Sequence, residues 1–153
     1  MKISQTKDFQ LVAKLNEYVH GLHSNLYPAH FKEYNHENVK AGFKSLFQNE
    51  RFIFLLVEDN DEAVGYAWIE TREYPDNPFK KAYKSVYVHQ ISIVDTKRNK
   101  GYGSSLMKRI EEIAIEKGID VLELDYWSGN SAAKQFYQNQ DFTKYREFVH
   151  KQL

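Results

Sequence analysis

The 153-residue chain contains no cysteine, which excludes a disulfide framework, a thiolate nucleophile and a cysteine-ligated metal. It carries no net charge either. Lys and Arg number 21 and so do Asp and Glu, so nothing global argues for nucleic acid or an anionic membrane as a partner. No apolar run approaches membrane-spanning length, and Met1-Lys2-Ile3-Ser4 lacks the apolar core of a signal peptide. A cytoplasmic enzyme or binding domain is therefore the expectation. What is abundant is apolar and aromatic: 42% hydrophobic residues, with 11 Tyr, 10 Phe and 2 Trp, as in a folded globule rather than a disordered tail. The length suits one domain, 1–153, with a real core.

Two of the seven glycines fall in one stretch, Lys97-Arg98-Asn99-Lys100-Gly101-Tyr102-Gly103-Ser104-Ser105. An apolar run, Ile91 to Val94, leads into it, and a helical pattern, Leu106, Ile110, Ile113 and Ala114, leads out. The first N–H groups of a helix lack internal partners and carry the positive end of its dipole. Glycines let that backbone approach a bulky ligand, so the stretch reads as a pyrophosphate cradle. The alternative on this stretch alone is an ordinary turn with a solvated basic rim. It completes neither G-x-G-x-x-G nor a Walker loop.

Residues 2–6 are expected to form an edge strand. Phe9 to Gly21 has helical spacing, with Gly21 as its stop, and Asn35 to Asn49 a second helix. His20, at the end of the first, and His23, Tyr27, His30, Phe31 and Tyr34, between the two, form a segment rich in rings. Two histidines without a third ligand make a poor metal site; the rings suit the wall of an acceptor pocket better. Arg51–Glu58 and Ala63–Thr71, joined at Asp59-Asn60-Asp61-Glu62, give a hairpin signal. Residues 74–84, with two prolines and three lysines, read as an exposed mobile loop and a candidate lid. Ser85–Val94 is the next strand, followed by a helix ending at Gly118 and a strand at 121–127 parallel to 85–94. A last helix, Asn130 to Asn139, is capped by Asn130, and Phe142 to Val149 reads as one strand or two.

Arg98-x-x-Gly101-x-Gly103 before a helix, then Asn130-x-x-Ala133-x-x-Phe136-Tyr137 after the next strand, resembles the GNAT superfamily of acetyl-CoA-dependent N-acetyltransferases. Leu124-Asp125-Tyr126-Trp127 looks like the strand that usually precedes the second motif. One departure is Asp141 in place of the glycine that commonly follows the tyrosine helix; Asp tolerates the left-handed conformation that turn requires. The resemblance implies an α/β fold built on a mixed sheet. That sheet is mostly antiparallel, with parallel splayed strands at 85–94 and 120–127, flanked by helices.

The resemblance also implies a reaction: direct transfer of an acetyl group from acetyl-CoA to a small-molecule, peptide or protein amine in a ternary complex. No metal is involved. Backbone groups of Ile91, Ser92 and Ile93 would hold the pantetheine, and Arg98, Asn99, Lys100, Gly101, Tyr102, Gly103 and Ser104 the pyrophosphate. Asn130 would contact the pantetheine arm, and Tyr137 would protonate the departing thiolate. A primary amine of pKa about 10.4 is disfavoured in its neutral form at pH 7 by about 4.6 kcal/mol, so a base is needed. His89 and Asp125 are the leading candidates, with Glu123 or ordered water behind them, and the two carboxylates are alternatively binders of a cationic acceptor. The competing function is a non-catalytic acyl-CoA-binding or sensor module, and beyond it a generic nucleotide-binding domain. A homodimer stays open.

Overall fold

The computed structural model describes all 153 residues as a mixed sheet sandwiched between two helical layers. In chain order these are β1 (Lys2–Gln5), α1 (Phe9–Leu26), α2 (His36–Leu46), β2 (Phe52–Asp59), β3 (Glu62–Tyr74) and β4 (Tyr83–Ile93). A 3-10 turn (Asp95–Lys97), α3 (Tyr102–Glu116), β5 (Leu122–Glu123) and α4 (Ser131–Asn139) follow. The sheet order is β1-β2-β3-β4-β5. All pairs are antiparallel except β4–β5, which the α3 crossover joins in parallel; β2–β3 and β3–β4 follow directly in the chain, and α1 and α2 lie between β1 and β2.

Period-two alternation along β2, β3 and β4 divides the core. On one face Leu55, Val57, Ala67, Ile69, Val86 and Val88 meet Leu106, Ile110 and Ile113 of α3. On the other, Phe54 and Tyr66 meet Val12 and Ala13 of α1 and Phe43 of α2. Local signals set the ends of the elements. Asp8, Asn35 and Asn130 each accept a hydrogen bond from the backbone N–H three residues on, at 2.9, 3.0 and 3.1 Å, capping α1, α2 and α4. Asn60 and Asp61, both at positive φ (51° and 61°), make the two-residue β2–β3 turn. Gly118 at φ 68° ends α3, with Ile119 N–H donating to the Ala114 carbonyl across 2.9 Å, a Schellman closure.

Four expectations change. Helix α1 does not stop at Gly21 but runs to Leu26, because the residue before Pro28 is driven out of the helical region; Tyr27 sits at φ −133°. The strand expected at 120–127 pairs with β4 only through Leu122 and Glu123 before the two chains part. No strand forms over 142–149, since so short an edge offers no ladder for another strand to join. The 74–84 segment is loop only over 75–82, since β3 runs to Tyr74 and β4 begins at Tyr83; at its tip the Asn77 side chain accepts from the Phe79 and Lys80 N–H groups at 2.9 and 3.0 Å.

Asp141 adopts φ 62°, the left-handed conformation expected of it. An L-residue there carries a cost of about 1–2 kcal/mol that glycine avoids, partly offset by the entropy glycine loses on folding. Asp141→Gly is expected to stabilise the protein by about 0.5–1 kcal/mol, read as a rise of a few degrees in Tm.

Candidate functional site

The site begins where β4 leaves its regular course. Trp68 pairs with Gln90 but the next β3 residue, Ile69, pairs with Val88, so His89 is the extra residue of a β-bulge. Its effect on the faces is visible residue by residue. Val86 and Val88 point into the α3 core and Tyr87 and His89 to the other face; Gln90 stays on His89's side, and Ile91 and Ile93 return to the core. Without the bulge Gln90 would enter the apolar core. Instead it joins a buried network in which the Asn16 amide donates to Tyr66 (2.9 Å) and Gln90 (3.1 Å) and the Tyr66 hydroxyl donates to Gln90. The network ties the bulge to α1.

Past Tyr87, β4 has β3 on one side and no strand on the other, so the sheet is open from Val88 to Ile93. Strand geometry alternates the direction of successive peptide groups. The Ser92 carbonyl is aimed at β3, where a methyl group on Gly65 would lie 2.5 Å from it. Ile91 and Ile93 therefore present their backbone groups to the open edge, and buried Ser92 does not.

The loop at 97–105 also divides its labour. Gly101 lies at φ 85° with open space where a side chain would project, and Asn99 at φ 59°. The first amide of α3 to bond back is Ser105, to the Gly101 carbonyl at 3.0 Å, so the N–H groups of Tyr102, Gly103 and Ser104 remain for an anion. Gly103 serves packing instead: a Cβ there would lie 3.2 Å from the Phe136 ring of α4. The Tyr102 hydroxyl donates to Asp59 at 2.8 Å, and Ser104 Oγ accepts from Gln140 at 3.1 Å, both anchoring the helix. Arg98 lies over the Tyr18 ring at 4.6 Å and Lys100 is exposed, so two cations flank the free amides. These groups fit a pyrophosphate.

His89, Asp125 and Tyr137 fall in one neighbourhood. The Glu70 carboxylate contacts His89 Nε2 at 2.6 Å, and the imidazole stacks on Trp68 with centroids 4.4 Å apart. Burial holds His89 below its ordinary pKa against the opposing pull of Glu70, so the ring is neutral at pH 7. Burial works upward on Glu70 too, but its hydrogen bonds from His89 and Arg72 outweigh it and keep the carboxyl ionised. Arg72 also lies over the Tyr87 ring at 3.7 Å, and Tyr87 donates its hydroxyl proton to Asp125. The two rival bases are thus ends of one chain: His89, Glu70, Arg72, Tyr87, Asp125. Tyr137 is buried against Tyr126, Phe136 and Phe142, and its phenol is pushed up to about 12 by that burial and then by the Asp125 charge. Glu123 is engaged elsewhere, accepting from Tyr83 at 3.0 Å and Tyr145 at 2.8 Å.

Glu70, Arg72 and Trp68 went unread in the sequence. Their signal was the alternation itself, since 68, 70 and 72 share one face of β3. In the histidine-rich segment Tyr27, His30 and Phe31 pack around Trp127 at centroid distances of 4.6, 5.5 and 5.1 Å. His20 does not touch Trp127 but meets Phe31 edge-on at 6.3 Å, its Nε2 donating to the Lys32 carbonyl at 2.7 Å.

Comparison with known proteins places this geometry. The sequence pattern of the acetyltransferase (GNAT) family matches residues 18–142. An uncharacterized N-acetyltransferase of Archaeoglobus fulgidus is 29% identical over 107 residues, 70% of this chain and 71% of that protein. In fold, the chain superposes on a tetramutant of the BH1408 protein from Bacillus halodurans with a TM-score of 0.93, at 24% identity and 100% coverage of both chains. It also superposes on a predicted acetyltransferase with acetyl-CoA from Clostridium acetobutylicum (TM-score 0.72, 15% identity, 99% of this chain and 95% of that one). The chain belongs to the acetyltransferase (GNAT) family.

Proposed function

We propose that the protein transfers the acetyl group of acetyl-CoA directly to a primary amine held in the same complex. The observation that carries this reading is the opening between β4 and residues 124–127, with His89 on β4 at one side and Tyr137 stacked on Tyr126 at the other. The α3 amides would take the pyrophosphate, and the free edge at Ile91 and Ile93 would pair with the pantetheine as an added strand does. Asn130 already spends its side-chain oxygen on the Ala133 N–H, leaving its amide hydrogens for the pantetheine.

The amine nitrogen attacks the thioester carbonyl carbon, forming C–N. His89 accepts the amine proton, the C–S bond breaks, Tyr137 protonates the departing sulfur, and the proton held by His89 returns through solvent to the Tyr137 phenolate. Each turnover consumes one acetyl-CoA and one amine and yields one amide and one free thiol, with no acyl-enzyme. The Asp125 carboxyl group, which accepts from the Tyr87 hydroxyl, would attract a cationic acceptor before that acceptor loses its proton.

A free-thiol assay with acetyl-CoA against amines, polyamines, aminoglycosides and peptides tests the reading, paired with thermal unfolding. Acetyl-CoA at a hundred times its Kd should raise Tm by about 5–10 °C, and at least one amine class should drive thiol release. Acetyl-CoA binding with no release by any amine would establish a sensor module instead. Equal protection by ATP would indicate a generic nucleotide site.

A further inference from the structure

We propose that Glu70 is the positioning residue of the site: its carboxylate fixes the tautomer of His89 so that Nδ1 is the atom that receives the amine proton. The inference rests on the reading of His89 as base and adds a residue and an atom to it.

A carboxylate can only accept, so the 2.6 Å contact between Glu70 Oε2 and His89 Nε2 requires the hydrogen to sit on Nε2. Neutral imidazole has one N–H, which leaves the Nδ1 lone pair free. The structure records one hydrogen bond for this ring, and it is the one at Nε2. Three further groups hold the plane of the imidazole. Trp68 stacks beneath it at 16°, and the rings of Phe52 and Tyr87 meet it edge-on at 5.5 and 4.9 Å. With ring and tautomer held in this way, Nδ1 is the ring nitrogen left with a free lone pair.

The arrangement also favours the product of proton transfer. When Nδ1 takes the proton, the ring becomes a cation that donates from Nε2 to a carboxylate and lies on the face of an indole, both favourable. Glu70 is kept ionised for this by Arg72, whose Nε donates to the same Oε2 at 3.0 Å. Side chains of 16% and 20% exposure make the Glu70–His89 pair less screened than a surface contact. The charges facing His89 are Glu70 and Arg72 from β3 and Asp125 from the segment after β5. β2 contributes only Phe52, and β4 the neutral Tyr87. Glu70 and Asp125 raise the imidazole pKa and Arg72 lowers it.

Glu70→Gln removes the carboxylate charge and keeps the shape. Nitrogen-15 spectra of histidine-labelled protein should show His89 protonated at Nε2 in the parent, and in the variant a mixture of tautomers. In the thiol assay kcat/KM should fall about a hundredfold, the low end of what a positioned general base contributes. KM for acetyl-CoA should hold. The sign of the pH effect follows from the charges: losing Glu70 lowers the His89 pKa further, so the acidic limb of the kcat/KM profile moves to lower pH. Glu70→Asp should recover part of the rate.

An Nδ1–H tautomer in the parent, or an unchanged tautomer and pH profile in Glu70→Gln, overturns the proposal. His89→Ala separates that failure from failure of the underlying reading. If His89→Ala loses activity while Glu70→Gln does not, His89 is the base and Glu70 is not its positioner. If His89→Ala keeps full activity, His89 is not the base, whatever its tautomer.

Discussion

Tyr137→Phe is expected to lower kcat between about a hundredfold and ten-thousandfold, the span a positioned proton donor contributes, while leaving KM for acetyl-CoA unchanged. The fold should be indifferent. The ring packs against Tyr126, Phe136 and Phe142 with centroids 6.1, 5.2 and 5.7 Å away, and phenylalanine keeps all of that. No hydrogen bond contributes to the shift of its phenol, so no partner is orphaned by the change. The raised pKa makes the prediction sharper. At about 12 the phenol stays protonated throughout any practical assay range, so neither limb of a pH profile below pH 10 belongs to it.

The same value defines how it acts. Handing a proton from a group at pKa about 12 to an ordinary thiolate near 8.5 is uphill by roughly 5 kcal/mol. Under the proposed mechanism Tyr137 would therefore act first as a hydrogen-bond donor to the sulfur as charge gathers there, and would transfer its proton only once the C–S bond has broken. An unchanged kcat in the phenylalanine variant would remove Tyr137 from the reaction.

What the sequence disclosed about this site was what depends on neighbours in the chain. The Gly101 turn, the Asn130 cap and the Gly118 stop are local conformations, legible because a left-handed residue or a capping side chain needs no distant partner. The bulge at His89 was also written in the chain, as a break in phase: Val86 and Val88 are two apart, Ile91 and Ile93 are two apart, but Val88 and Ile91 are three apart. Reading 85–94 as one uniform strand passes over it. Pro28 was the true stop of α1, hidden behind a glycine that helices tolerate.

The partners of His89 were of another kind. Glu70 and Arg72 occupy unremarkable places in an alternating strand, and only the register of β3 against β4, shifted by the bulge, brings Glu70 to the imidazole. No local pattern carries that information. It arises when two residues 19 apart in the chain are laid side by side on neighbouring strands. The same holds for Tyr87 and Asp125, joined across a parallel pair that is only two residues long.

Gly65→Ala is expected to injure both stability and cofactor binding, because Gly65 sits on β3 directly behind the edge proposed to hold the pantetheine. It pairs with Ile93, and a Cβ added there would lie 2.5 Å from the Ser92 carbonyl oxygen and 2.6 Å from the Ile93 side chain. The first of these is backbone in a strand held on its other residues by the β3 ladder, so it cannot turn aside as a long side chain would. Overpacking of this kind costs about 1–3 kcal/mol, a fall of about 3–10 °C in Tm. The strand can relieve the contact only by moving Ser92 and Ile93 toward the open edge. If that displacement breaks one backbone hydrogen bond to the ligand, KM for acetyl-CoA rises about tenfold. Gly42→Ala supplies the control: it lies within α2 with no atom within 4 Å of the new methyl, and alanine is the better helix former. It should raise Tm slightly and leave KM alone. A Gly65→Ala protein as stable as its parent, with KM unchanged, would mean that β4 is not held at this point and that its open edge is not the rigid template the reaction requires.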